Sequence, residues 1–101
     1  MRIVIIGAGK VGTFIAADLI ENGHDVTVVE RDSQQVDRRR PTVGLEGVPW
    51  VVADACEVSE LSRASLEVAD VVRAVTGDDE DNLVTSLLAK QEFGVPRVVA
   101  R

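Results

Sequence analysis

The stretch MRIVIIGAGKVGTFIAADL sets three glycines, Gly7, Gly9 and Gly12, between a short apolar run and a helical pattern. Glycine weakens helices and strands alike, so three of them at one junction need a reason. Their spacing is G-x-G-x-x-G, a weak pattern when it stands alone. Here it follows an apolar run, RIVII (2–6), that reads as a buried strand, and it opens a helix read over 11–22, the context the pattern requires. Each glycine then has a mechanical task. Gly7 permits a sharp strand-to-helix turn, Gly9 lets a pyrophosphate approach the backbone, and Gly12 lets the helix pack close to the sheet. The free N–H groups of residues 9 to 12 point at such a ligand, and the helix dipole favours its negative charge.

An acid at the end of the second strand completes the fingerprint. DVTVVE (25–30) reads as that strand, and Glu30 follows Gly12 at close to the ~20-residue spacing of dinucleotide-binding units. A carboxylate there accepts hydrogen bonds from the two hydroxyls of an adenosine ribose. It repels a 2′-phosphate, which disfavours NADP, and the neighbouring Arg31 softens that exclusion.

The rest of the chain alternates in the same way. WVVAD (50–54), DVVRAVT (70–76) and RVVA (97–100) read as further strands. A helix capped by Asp32 or Ser33 runs to Arg40, where Pro41 stops it. A short helix lies around 57–65. Another, capped by Asp78 or Asp79, covers about 80–93. Val11, Phe14, Ile15, Leu19 and Ile20 mark the apolar face of the first helix, and Leu83, Leu87 and Leu88 that of the last. The expected fold is α/β: a Rossmann-like, doubly wound parallel sheet in one domain over 1–101. The fifth strand meets the chain end and a six-stranded sheet needs about one more αβ unit, so a C-terminally truncated domain is expected.

Ligands on such sheets lie beyond the carboxyl ends of the strands, at the switch point between the first and fourth. The segments there are GAGKVG, ERD, ADAC and TGDDEDN. Asp54 and Ala55 line an adenine pocket in one reading, and in the other Asp54 is a helix cap. Thr76, Gly77 and Asp78 face the phosphates or the far half of a dinucleotide, or form a glycine turn with an N-cap; both roles are compatible. Lys10 neutralises phosphate or lies in solvent.

Other chemistries find little support. The net charge of −6 opposes nucleic acid and anionic lipid partners. Arg38, Arg39 and Arg40 read as a solvated helix end. Cys56 is alone, so no internal disulfide forms and a reducing compartment fits. The four-residue apolar run before Gly7 is too short for a signal peptide or membrane span, and a cytoplasmic protein is expected. His24 falls in the turn entering the second strand, away from the ligand edge. The run Asp78, Asp79, Glu80, Asp81 reads as a solvated helix N-terminus rather than a metal site. No catalytic set is assembled: the chain has no tyrosine, and its single histidine is misplaced for hydride-transfer chemistry.

The stretches MRIVIIGAGKVG, LIENGHDVTVVERD, VVADAC and ADVVRAVTGDDEDNLVTSLLAKQEFGVPRVVAR together resemble the N-terminal domain of TrkA-type potassium-uptake regulators, the RCK or KTN domain. The resemblance implies a domain that binds NAD(H) or an adenine nucleotide such as ATP or ADP. It also implies a cytoplasmic gating ring, built from dimers, on the inner face of the membrane against a potassium transporter or channel. Carried over by position, Gly7, Ala8, Gly9, Lys10, Val11 and Gly12 would hold the phosphates. Glu30 would hold the ribose with Arg31 beside it, and Asp54 and Ala55 would lie near adenine. Thr76, Gly77 and Asp78 would close over the phosphate or nicotinamide side. The alternative is the nucleotide-binding half of an NAD-dependent oxidoreductase.

Overall fold

In the computed structural model of the chain, which describes residues 1–100, the Val- and Ile-rich runs form one parallel sheet. Among the described residues its strands are β1 (Arg2–Ile6), β2 (Asp25–Glu30), β3 (Trp50–Val52), β4 (Val71–Ala74) and β5 (Arg97–Ala100). The helices are α1 (Lys10–Glu21), α2 (Ser33–Arg39), α3 (Val58–Leu61) and α4 (Asp79–Gln91), with two 3-10 turns between α3 and β4. The strand order is β3-β2-β1-β4-β5. Successive connections run outward from β1 to β3 and then return to its other side at β4. That reversal creates a crevice beyond the carboxyl ends of β1 and β4, as the doubly wound reading requires. In register, Ile6 at the end of β1 pairs with Val29 on one side and Ala74 on the other.

Alternation along the strands builds two cores, one on each face of the sheet. Ile3, Ile5, Val26, Val28 and Val71 meet α1 and the 41–48 loop through Ala16 and Leu45. Val4, Ile6, Val29 and Val72 meet α3, the 3-10 turns and α4 through Leu61, Leu66 and Ala89.

The packed faces of α1 and α4 differ from the apolar stripes expected of them. Helix α1 buries Gly12, Thr13 and Ala16; Val11 faces outward, and Phe14 is 75% exposed. Ile15, Leu19 and Ile20 flank the contact, half-buried. Close approach at Gly12 leaves room only for small side chains along the line of contact, and larger ones are displaced to its edges. Helix α4 buries Asn82, Thr85 and Ala89, while Leu83 and Leu87 are exposed and Leu88 packs half-buried. Hydrogen bonds set its rotation: Asn82 bonds to Thr76, and the Thr85 hydroxyl donates to the Ala55 carbonyl at 3.1 Å.

Several element ends also shift. β3 stops at Val52, and the Ala53 amide makes the last bond back to Glu30 O, at 3.1 Å. The 57–65 helix is a single α turn followed by a 3-10 turn, ended by Ser65 at φ 55°. No helix among the described residues is long and apolar enough to cross a membrane.

Candidate functional site

A cleft of about 520 Å³ opens at the switch point, within the usual range for small-molecule sites. Twelve of the thirteen residues singled out from sequence line it: Gly7, Ala8, Gly9, Lys10, Val11, Glu30, Arg31, Asp54, Ala55, Thr76, Gly77 and Asp78. The thirteenth, Gly12, lies behind the wall and shapes it. A Cβ on Gly12 would stand 2.0 Å from Gly7 O, so the bare Cα is what lets α1 seat against the turn. Gly7 adopts φ +110°, and its N–H donates to Val29 O at 2.8 Å, which fixes the turn to β2. Around Gly9 the space is open, with no atom within 4 Å of an added Cβ.

Hydrogen bonding sorts the loop amides into two sets. Gly7 and Ala8 donate to the protein, the latter to Glu30 Oε1 at 2.9 Å. Among the described residues, the amides of Gly9, Lys10, Val11 and Gly12 donate to no protein acceptor. They are the orphan donors of a helix start, and a dipole of matching sign lies behind them.

Glu30 ends β2 with its carboxylate turned into the cleft. One oxygen accepts from Ala8 N and the other from Asp32 N at 3.0 Å. A carboxylate has about four lone-pair positions, so acceptor capacity remains on both oxygens toward the opening. These two bonds hold the acid without help from a cation.

Each of the loop acids makes a local hydrogen bond to a backbone amide. Asp32 caps α2, accepting from Gln34 N at 2.9 Å. Asp78 caps α4, accepting from Asp81 N at 3.0 Å, and it lines the cleft as well. Asp54 accepts from Cys56 N at 2.9 Å in a turn ahead of α3, whose own cap position is Glu57. Thr76 is spent internally: its N–H and hydroxyl donate to Asn82 Oδ1 at 2.9 and 2.7 Å, and its carbonyl accepts from Asn82 Nδ2 at 3.1 Å. His24 sits at the opposite edge, with the Met1 ammonium 3.3 Å from its Nδ1.

Four contributors were given no site role from sequence, although Cys56, Asp81 and Asn82 lie in segments placed at the ligand edge. Gln35 on α2 donates to Ala8 O at 2.8 Å and braces the glycine loop from outside it. Asn82, fully buried, fixes the β4–α4 loop. Asp81 and Cys56 form part of the wall where the β3–α3 loop meets the first turn of α4. Burial pushes the Cys56 thiol above its usual pKa; its contact with Thr85 opposes this, and the Asp81 and Asp54 carboxylates add to it. For Gln35 and Asn82 the available signal was a side-chain amide in the first turn of a helix, third in α2 and fourth in α4.

The TrkA-N domain model matches residues 3–101. The Trk system potassium uptake protein TrkA of Mycobacterium tuberculosis is 48% identical over the whole chain, and the chain covers 44% of that protein. A TrkA homolog of Methanothermobacter thermautotrophicus is 35% identical, again over the whole chain and 45% of the relative. The chain therefore spans under half the length of these curated relatives. Among solved structures, the Shewanella denitrificans Kef C-terminal domain in AMP-bound form superposes with TM-score 0.80 at 18% identity, over 100% of this chain and 58% of that one. The TrkA-N domain of the Escherichia coli inner membrane protein ybaL gives TM-score 0.76 at 19% identity, over 98% of this chain and 86% of that one. At such identities these two likenesses speak for the Rossmann-like fold. The family model across the chain, with relatives named as Trk potassium uptake proteins, establishes that this chain belongs to the TrkA-N domain family.

Proposed function

We propose that the chain is the nucleotide-sensing domain of a cytoplasmic regulatory protein that controls a membrane potassium transporter or channel. One observation carries the reading. Unpaired amides at the start of α1, those of Gly9, Lys10 and Val11 lining the cleft and that of Gly12 just behind them, stand beside a carboxylate, Glu30, that is held in place with acceptor capacity to spare. That pair of features matches the adenosine diphosphate portion common to NAD(H), ATP and ADP. The phosphates lie on Gly9, Lys10, Val11 and Gly12, with Gly7 and Ala8 shaping the turn. The ribose lies on Glu30 beside Arg31, the base near Asp54 and Ala55, and Thr76, Gly77 and Asp78 close the far side. The AMP-bound state of the Kef neighbour supports a nucleotide in a fold of this shape.

Control of uptake then works by population shift. Nucleotide binds two arrangements of a dimer-based ring with unequal affinity and biases the partner's gate. Regulation is favoured over hydride transfer because His24 lies at the edge of the sheet remote from the cleft.

Calorimetry with NADH, NAD, ATP and ADP tests the proposal. Micromolar-range binding is expected without turnover. Glu30→Ala weakens every one of these ligands by the same factor, about tenfold to a hundredfold, since all present the same ribose to a charged acceptor. No heat with any of the four defeats the reading, and unequal losses remove Glu30 from the ribose.

A further inference from the structure

One ion pair closer than 4 Å occurs among the described residues, and it crosses the cleft. Arg31 Nη1, just past the end of β2, lies 3.7 Å from Asp81 Oδ2 in the first turn of α4. Both residues line the cavity, from separate walls. Their side chains are 65% and 31% exposed, so the pair sits at the mouth, open to solvent. Asp81 is anchored: its N–H is held by the Asp78 cap, and its other carboxylate oxygen lies 3.7 Å from Cys56 Sγ. Arg31 is the more exposed member, on a loop flanked by Glu30 and Asp32, and its partner lies 50 positions further along the chain.

We infer that Arg31 and Asp81 form a salt-sensitive clasp over the base end of the cleft, which a ligand must open to enter. This rests on the nucleotide reading and deepens it. While Arg31 is paired to Asp81 its guanidinium is tied across the cavity that Asp54 and Ala55 also line. An entering base offers that guanidinium a π-face, and an entering phosphate offers it a stronger anion. Either releases Asp81. An exposed pair is weak and screened by salt, so the clasp slows entry modestly at low ionic strength and vanishes at high.

The test follows NADH association by stopped-flow fluorescence, exciting Trp50, the single tryptophan, in about 50 mM and about 500 mM KCl. Asp79→Asn is the control: it removes the same charge from the same turn, outside the cleft. At low salt Asp81→Asn binds about two- to fivefold faster than Asp79→Asn, and at high salt the two agree. In an Arg31→Gln background, Asp81→Asn confers no advantage over Asp79→Asn, because the pair is already broken. Equal rates for the two Asn variants at low salt overturn the clasp, as does an advantage that survives Arg31→Gln. Where NADH does not bind, the same comparison is run with whichever of NAD, ATP and ADP calorimetry detects, and wild-type chain that binds none of the four overturns the nucleotide reading and the clasp together. Normal binding without the rate difference overturns the clasp alone.

Discussion

Gly9→Ala separates the role of the loop in folding from its role in binding. Gly9 caps α1 at φ −80°, ψ −168°, extended backbone that alanine adopts freely. Nothing lies within 4 Å of the added methyl. Two small terms then oppose each other. Alanine is a poorer cap than glycine, at a cost of about 0.5–1 kcal/mol. It also restricts the unfolded chain, a gain of about 0.4–1 kcal/mol where the native angles suit it. The net change in stability is within about 0.5 kcal/mol of zero. Binding responds differently, because the methyl stands where a phosphate must approach the amides of residues 9–12. Losing one or two charge-assisted hydrogen bonds costs about 2–4 kcal/mol, at least ~30-fold in affinity. Urea unfolding without ligand, set beside calorimetry with NADH and ADP, measures both quantities on one variant. Wild-type affinity in Gly9→Ala refutes the placement of phosphates on this loop. A stability loss above about 2 kcal/mol refutes the claim that the space is free in the unliganded fold.

Gly12→Ala shows the reverse pattern: its methyl meets Gly7 O at 2.0 Å, a backbone atom that cannot rotate away, so overpacking of about 2–3 kcal/mol lowers the melting temperature by ~10–20 °C in calorimetric scans. Asn82→Ala strands the Thr76 N–H and carbonyl that now pair with it, at a cost of about 2–4 kcal/mol, and hydrogen exchange at the Thr76 amide quickens. Cys56 reacts slowly with iodoacetamide at neutral pH, and its pH–rate curve rises above the range of an ordinary thiol, since burial keeps it protonated. A raised thiol pKa in the fold also means that its contribution to stability is present at low pH and fades as pH climbs through the folded value. Nucleotide in the cleft shields Cys56 from the reagent; equal alkylation rates with and without ligand place the base elsewhere.

What the sequence determined by itself is local. The strand–turn–helix with G-x-G-x-x-G, the acid ending the second strand, and helix caps placed to within one residue, at Asp32 or Ser33 and at Asp78 or Asp79, all depend on neighbours a few residues away. Steric limits at Gly7 and Gly12 and the short reach of an aspartate to a helix amide leave little choice. Alternating strand and helix patterns likewise dictate a parallel sheet and place its ligand edge. Tertiary structure decided which way the helices turn. Hydropathy assigned the inner faces of α1 and α4 to Phe14, Leu83 and Leu87, yet close approach at Gly12 and the bonds of Asn82 and Thr85 turned smaller and polar residues inward. Only the fold brings Gln35 to Ala8 O and Arg31 to Asp81, over separations of 27 and 50 positions, because such contacts depend on how elements cross the sheet rather than on any repeat along the chain.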